Sequence, residues 1–156
     1  MNPTEAKVVA NMLLDGLERE YEITKKVVAA AVRIANGHAD RLMLGDLRVE
    51  RDWGWAPEYV EAMWKMLQLD APQDFVIATG EANTLESFVA TAFECVGLDW
   101  RDHVDIDDAL RRPSDIRVSR GNPAKAAAGL GWRATLGMKD VVRRMVQAER
   151  EMGAGR

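Results

Sequence analysis

Amphipathic helical stripes alternate with short apolar runs along this chain, and that alternation restricts it to layered folds in which helices cover small sheets. The sharpest stripe is Leu85, Phe88, Val89, Ala92, Phe93 and Val96, which keeps the 3.6-residue period between a capping Thr84 and a terminating Gly97. Residues 20–36 place Ile23, Val27, Ala30, Ala31 and Ile34 on one face, with Gly37 as the stop. A third stripe, Val60, Met63, Trp64 and Leu67, follows Pro57, a residue suited to a first helical turn. Trp53, Trp64 and the Met63–Met66 pair read as core. Met138, Val141, Val142 and Met145 mark a last helix, and Asn122-Pro123 starts a short one that the turn at 129–132 closes. Asn2, Pro3 and Glu5 predict a further helix through Ala6 to Leu14. Between the helices, residues 41–44 and Ile116–Ser119 read as short strands. Phe75-Val76-Ile77, ahead of Gly80, reads as a strand buried on both faces, which wants a neighbour at each edge.

The remaining bounds are exclusions. A length of 156 residues suits one domain, and a composition 47% apolar and 29% charged is that of a folded protein rather than a disordered one. Twenty-one basic against 25 acidic residues give a net charge of −4, which supplies no field for wrapping nucleic acid. No apolar run approaches the ~20 residues that span a bilayer, and no cleavable leader is visible. The single cysteine, Cys95, cannot form an internal disulfide, so a cytoplasmic location is expected, with Cys95 as a buried filler. His38 and His103 lack partners at metal-ligand spacing and read as surface residues.

Three segments carry a resemblance. The run from Arg51-Asp52-Trp53-Gly54-Trp55-Ala56-Pro57-Glu58-Tyr59-Val60-Glu61-Ala62-Met63-Trp64 through Met66-Leu67-Gln68 to Asp74-Phe75-Val76-Ile77-Ala78-Thr79-Gly80 is the longest. Arg112-Pro113-Ser114-Asp115 is the second, and Asn122-Pro123 with Lys125-Ala126 and Leu130-Gly131-Trp132 the third. Together with Ile23-Thr24-Lys25-Lys26 they resemble the C-terminal half of GDP-mannose 4,6-dehydratases, in the extended short-chain dehydrogenase/reductase superfamily. The resemblance implies an α/β, helix-rich chain: the C-terminal substrate lobe of such an enzyme plus one helix and one strand of its Rossmann sheet. Residues 20–150 would form this substrate-binding part, residues 1–19 an N-terminal helix outside the family pattern, and residues 151–156 a frayed tail.

The family implied converts GDP-mannose to the 4-keto-6-deoxy sugar nucleotide with NADP, by oxidation at C4, loss of water and re-reduction at C6. A dinucleotide site needs a Gly-rich turn between a strand and a helix N-terminus, and no G-x-G-x-x-G occurs in these residues; Gly129 and Gly131 read as a helix stop. Tyr21 and Lys25 match Tyr-x-x-x-Lys literally, but alignment of Thr24-Lys25-Lys26 with the family puts this helix after the catalytic one, and the match is assigned to chance. No catalytic residue and no cofactor are therefore assigned to the chain. The resemblance implies that Arg51 and Arg112 embrace the diphosphate, that Lys26 lines the nucleotide pocket, that Asp115 takes the place of a ribose-binding glutamate, and that Ile23 lines the base site. Guanidinium groups suit that task through planar, bidentate bonds to phosphate oxygens. Trp55 and Glu58 stand where the family has a histidine and an aspartate, and Trp55 could wall the pocket.

The functional expectation is a protein that binds GDP-mannose or a related guanine nucleotide sugar and does not turn it over alone. The alternatives are a split dehydratase completed by a separate Rossmann chain, and a non-catalytic interaction module. The helix and strand at 57–68 and 74–79 pack into the cofactor domain in this superfamily, so their apolar surfaces are expected to seek the 6–14 helix or a homodimer partner.

Overall fold

The computed structural model describes residues 22–38, 40–111 and 116–154. The predicted helix over 6–14 lies outside them, as do Arg112 and Asp115. Helix α1 spans 22–35, β1 Leu42–Leu44, β2 Glu50–Arg51, α2 Ala56–Met66, β3 Asn83–Thr84 and α3 Leu85–Glu94. After a short 3-10 turn come β4 (Val104–Ile106), a second 3-10 turn, β5 (Val118–Ser119), α4 (Ala124–Leu130) and α5 (Met138–Ala154). Two small sheets result among the described residues. Strands β1 and β4 pair in parallel with Met43 opposite Asp105, and β2 lies between antiparallel β3 and parallel β5.

The main core is the one that the periodicity demands. Val27, Val28 and Ala31 of α1, Leu42 and Leu44 of β1, Phe88, Val89, Ala92 and Phe93 of α3, and Met138, Val142 and Val146 of α5 are buried together. Trp53 closes this core, its ring 5.0 Å from that of Phe88. Gly37 and Gly97 end α1 and α3 at positive φ, which a residue without Cβ adopts without strain. Thr84 caps α3, its hydroxyl accepting from the Ser87 amide at 3.1 Å. Replacing Thr84 by Ala is expected to cost about 1 kcal/mol, seen as a lower urea midpoint with an unchanged m-value.

Helix α2 corrects the sequence reading. Pro57 sits in its first turn as expected, but the stripe behind it faces outward: Val60 is 61% exposed, Met63 55%, Trp64 61% and Leu67 81%. The buried residue is Ala62, which meets Ala126 of α4 and Trp132 in a small second cluster with Tyr59, Phe75 and Ile77. Trp64 and Met63 are thus not core in the described residues. The run at 74–79 departs from its expectation too. It carries no strand ladder; Phe75 and Ile77 are half-buried against the α4 cluster while Val76 is exposed. A doubly buried strand needs a partner at each edge, and the described residues provide none.

His38 is exposed as expected, whereas His103 is half-buried and stacks on the core ring of Phe93. Cys95 is half-buried rather than fully enclosed at the end of α3, and burial pushes its thiol above the ordinary range, which leaves it protonated and a poor nucleophile. No helix of the described residues is long and apolar enough to cross a membrane.

Candidate nucleotide-binding site

Arg51 closes β2, and its Nη1 donates to two backbone carbonyls, Glu50 at 2.9 Å and Ile116 at 2.7 Å. The second bond matters more for function. Ile116 is the first described residue after 112–115, so the Arg51 guanidinium is bonded to the residue that follows Arg112 to Asp115 in sequence. The β2–β5 ladder enforces the same neighbourhood, with Glu50 opposite Val118 and Arg51 opposite Ser119.

The other end of that segment is fixed against β1. Leu110 packs so tightly on Gly45 that a Cβ there would lie 2.9 Å from the Leu110 carbonyl oxygen. Lys26, an exposed residue of α1, donates from Nζ to the Met43 carbonyl at 2.9 Å, two residues before Gly45. Leu110, beside β1, and Ile116, beside Arg51, are six residues apart and so at most ~22 Å from each other. Arg112 and Asp115 lie between these two anchors in sequence, outside the described residues. Ile23 shares the α1 face of Lys26 one turn away and packs, half-buried, on the main core.

Charges of both signs crowd the Leu110 end. Asp46 accepts from the Arg48 amide and side chain, and those bonds hold its carboxyl well below the usual carboxylate range. Arg111 pairs with Asp108 at 2.9 Å. Met43, Leu110, Ile116 and Val118 expose apolar side chains on these segments.

Two residues singled out in the aromatic run have structural partners. The ring of Trp55 is covered by the Arg144 guanidinium of α5 at 5.1 Å. Glu58 receives the Thr135 hydroxyl and the amides of Thr135 and Leu136, and its carbonyl accepts from the Trp132 indole at 2.9 Å. Beside it, burial and the charges of Asp52 and Glu58 push the Tyr59 phenol up to about 12.

One carboxylate escaped the sequence reading. Asp52 accepts four hydrogen bonds from two segments distant in sequence: the Thr79 amide at 2.9 Å and hydroxyl at 2.5 Å, and the Gly80 amide at 2.9 Å and Gly121 amide at 3.3 Å. Its neighbours Thr79-Gly80 and Gly121, small residues where backbones approach closely, were the available signal.

The Gly129–Gly131 turn does not have the form of a pyrophosphate-binding turn. Gly131 is the left-handed C-cap of α4, at φ +59°, and a Cβ on Gly129 would touch the Phe75 ring. A helix C-terminus offers carbonyls to solvent, whereas pyrophosphate needs the amides of an N-terminus. Among the described residues no cluster of His, Cys, Asp or Glu is arranged to hold a metal ion.

Comparison with known proteins identifies the family. The family model described as GDP-mannose 4,6 dehydratase matches residues 14–145. GDP-mannose 4,6 dehydratase 1 of Arabidopsis thaliana is 42% identical over 133 residues, covering 85% of this chain and 37% of the relative. The Homo sapiens GDP-mannose 4,6 dehydratase is 35% identical over 147 residues, covering 83% of this chain and 40% of the relative. The chain thus spans about two-fifths of the length of these relatives. Among solved structures, RMD from Pseudomonas aeruginosa complexed with NADPH superposes with a TM-score of 0.74 at 18% identity, over 83% of this chain and 43% of that one. A putative epimerase from Burkholderia cenocepacia J2315 gives 0.72 at 25% identity, over 82% and 41%. With the family model matching residues 14–145, this chain belongs to the GDP-mannose 4,6-dehydratase family.

Proposed function

We propose that this chain is the nucleotide-sugar-binding part of a GDP-mannose 4,6-dehydratase, with Arg51 and Arg112 gripping the diphosphate of GDP-mannose or a related guanine nucleotide sugar. Lys26 adds a third cation, Asp115 takes the ribose hydroxyls, and the apolar surface around Ile23 and Met43 receives the base. The observation that carries the reading is the Arg51–Ile116 bond, which ties one arginine to the root of the segment bearing the other. Anchoring Nη1 on two carbonyls holds the rigid guanidinium fork in one orientation before ligand arrives, which lowers the ordering cost of binding. Calorimetry with GDP, GDP-mannose and UDP-glucose tests this. Binding of both guanine ligands with weaker uptake of the uridine ligand is expected; no heat and no competition at millimolar GDP would contradict it.

The outward face of α2 supports a second statement, that turnover requires a dinucleotide-binding layer beyond residues 1–156, within a longer chain or from a separate one. Val60, Met63, Trp64 and Leu67 expose their apolar side chains along one face of α2, and Val76 is exposed as well. Residues 1–156 alone, given GDP-mannose and NADP, are expected to form no 4-keto-6-deoxy product. Detectable product would refute the requirement.

A further inference from the structure

Arg51 and Asp52 are consecutive, and they hold the same short strand at its two ends. Arg51 binds the Ile116 carbonyl before β5, and Asp52 binds the Gly121 amide after it. Between those anchors β5 contributes only two residue pairs to its ladder with β2, too few to fix a register without help. The Asp52 carboxylate supplies that help from a second direction, because its other three bonds fasten it to Thr79 and Gly80. Gly121 must come close for this to happen: a Cβ there would collide with that of Ala78. Two carboxylate oxygens offer about four acceptor sites, and four donors point at them, so the side chain is committed to the scaffold.

We propose that Asp52 is a positioning residue for the anion site: without touching ligand, it sets the register of β5 on β2 and so the place of the Arg51 guanidinium. The inference rests on the binding reading above. If β5 slips along β2, Ile116 moves away from Nη1 and the guanidinium loses one of the two carbonyl bonds that aim it. The amide of an Asp52→Asn side chain would turn one acceptor into a donor facing backbone N–H groups, a conflict that a shape-preserving substitution cannot avoid.

The test compares GDP with guanosine, which shares the base and ribose but lacks phosphate, by calorimetry and ligand-detected NMR on the full chain. Asp52→Asn is expected to weaken GDP about tenfold while leaving guanosine within about twofold, since only the phosphate contact depends on Arg51. In an Arg51→Ala background the same substitution is expected to add nothing, because both changes act on one contact. Thr79→Ala, which removes a single bond to Asp52, keeps the question answerable should Asp52→Asn fail to fold; about a twofold to threefold loss for GDP alone is expected. Equal weakening of GDP and guanosine, or an additive double variant, would make Asp52 a plain stability residue and overturn the proposal. So would unchanged GDP affinity in Asp52→Asn and Thr79→Ala. Those results leave the binding reading standing if Arg51→Ala still weakens GDP, whereas a wild-type chain that binds GDP no better than guanosine overturns both.

Discussion

Arg51→Ala is expected to weaken GDP binding by about 10- to 100-fold, the ~1.5–3 kcal/mol typical of hydrogen bonds to a charged group. The loss has two sources. One is the phosphate contact itself. The other is the freedom gained at Ile116 once Nη1 no longer holds its carbonyl, which loosens the entry of 112–115 into β5. Arg51→Lys separates them, because an ammonium keeps the charge but lacks the planar fork that meets carbonyls and phosphate together. It is therefore expected to recover only a minor part of the affinity. Calorimetry at two salt concentrations checks the assignment: the wild-type advantage over Arg51→Ala shrinks as salt rises, since a half-buried ion contact is partly screened.

Phe88→Ala carries the largest expected effect on stability, about 3–5 kcal/mol, the range for removing a large aromatic side chain from a closed core. Phe88 has no exposed surface, and its ring meets that of Trp53 at 5.0 Å with a 48° tilt. The cavity would lie beneath Trp53, two residues from Arg51, so damage to the core and damage to the site are linked here. For a chain of this size the loss corresponds to a fall in midpoint of roughly 10–15 °C, readable by calorimetry or circular dichroism. Phe88→Leu, which refills most of the space, is expected to recover about half of it. A fall of less than ~1 kcal/mol for Phe88→Ala would mean that α3 does not organise the fold.

How far the sequence could be read varied with the range of the interaction. Helix α3 was legible because its stripe, its threonine cap and its glycine stop all lie within 14 residues and agree with one another. The apolar stripes of α1 and α5 were legible for the same local reason. Helix α2 was legible as a helix but not in its facing. A period of 3.6 locates an apolar face without saying what covers it, and the face that packs within the described residues is the small one around Ala62, against Ala126. The run at 74–79 misled for the same reason, since continuous apolar residues promise neighbours that the pattern cannot supply. Strands β2 and β3, two residues each, are too short to show alternation. At the candidate site, Arg51 and Lys26 entered through the family resemblance, and the structure added what pins each of them. The role of Asp52 was not legible, because its partners stand 27, 28 and 69 positions away.

The central claim is that Arg51 and Arg112 close on one diphosphate. A crystal structure of the chain soaked with GDP tests it most directly. The account predicts diphosphate oxygens within hydrogen-bonding distance of both guanidinium groups, with Ile116 still held by Arg51. A nucleotide seated elsewhere, or an Arg112 directed away from the Arg51 side chain while GDP is bound, would contradict it.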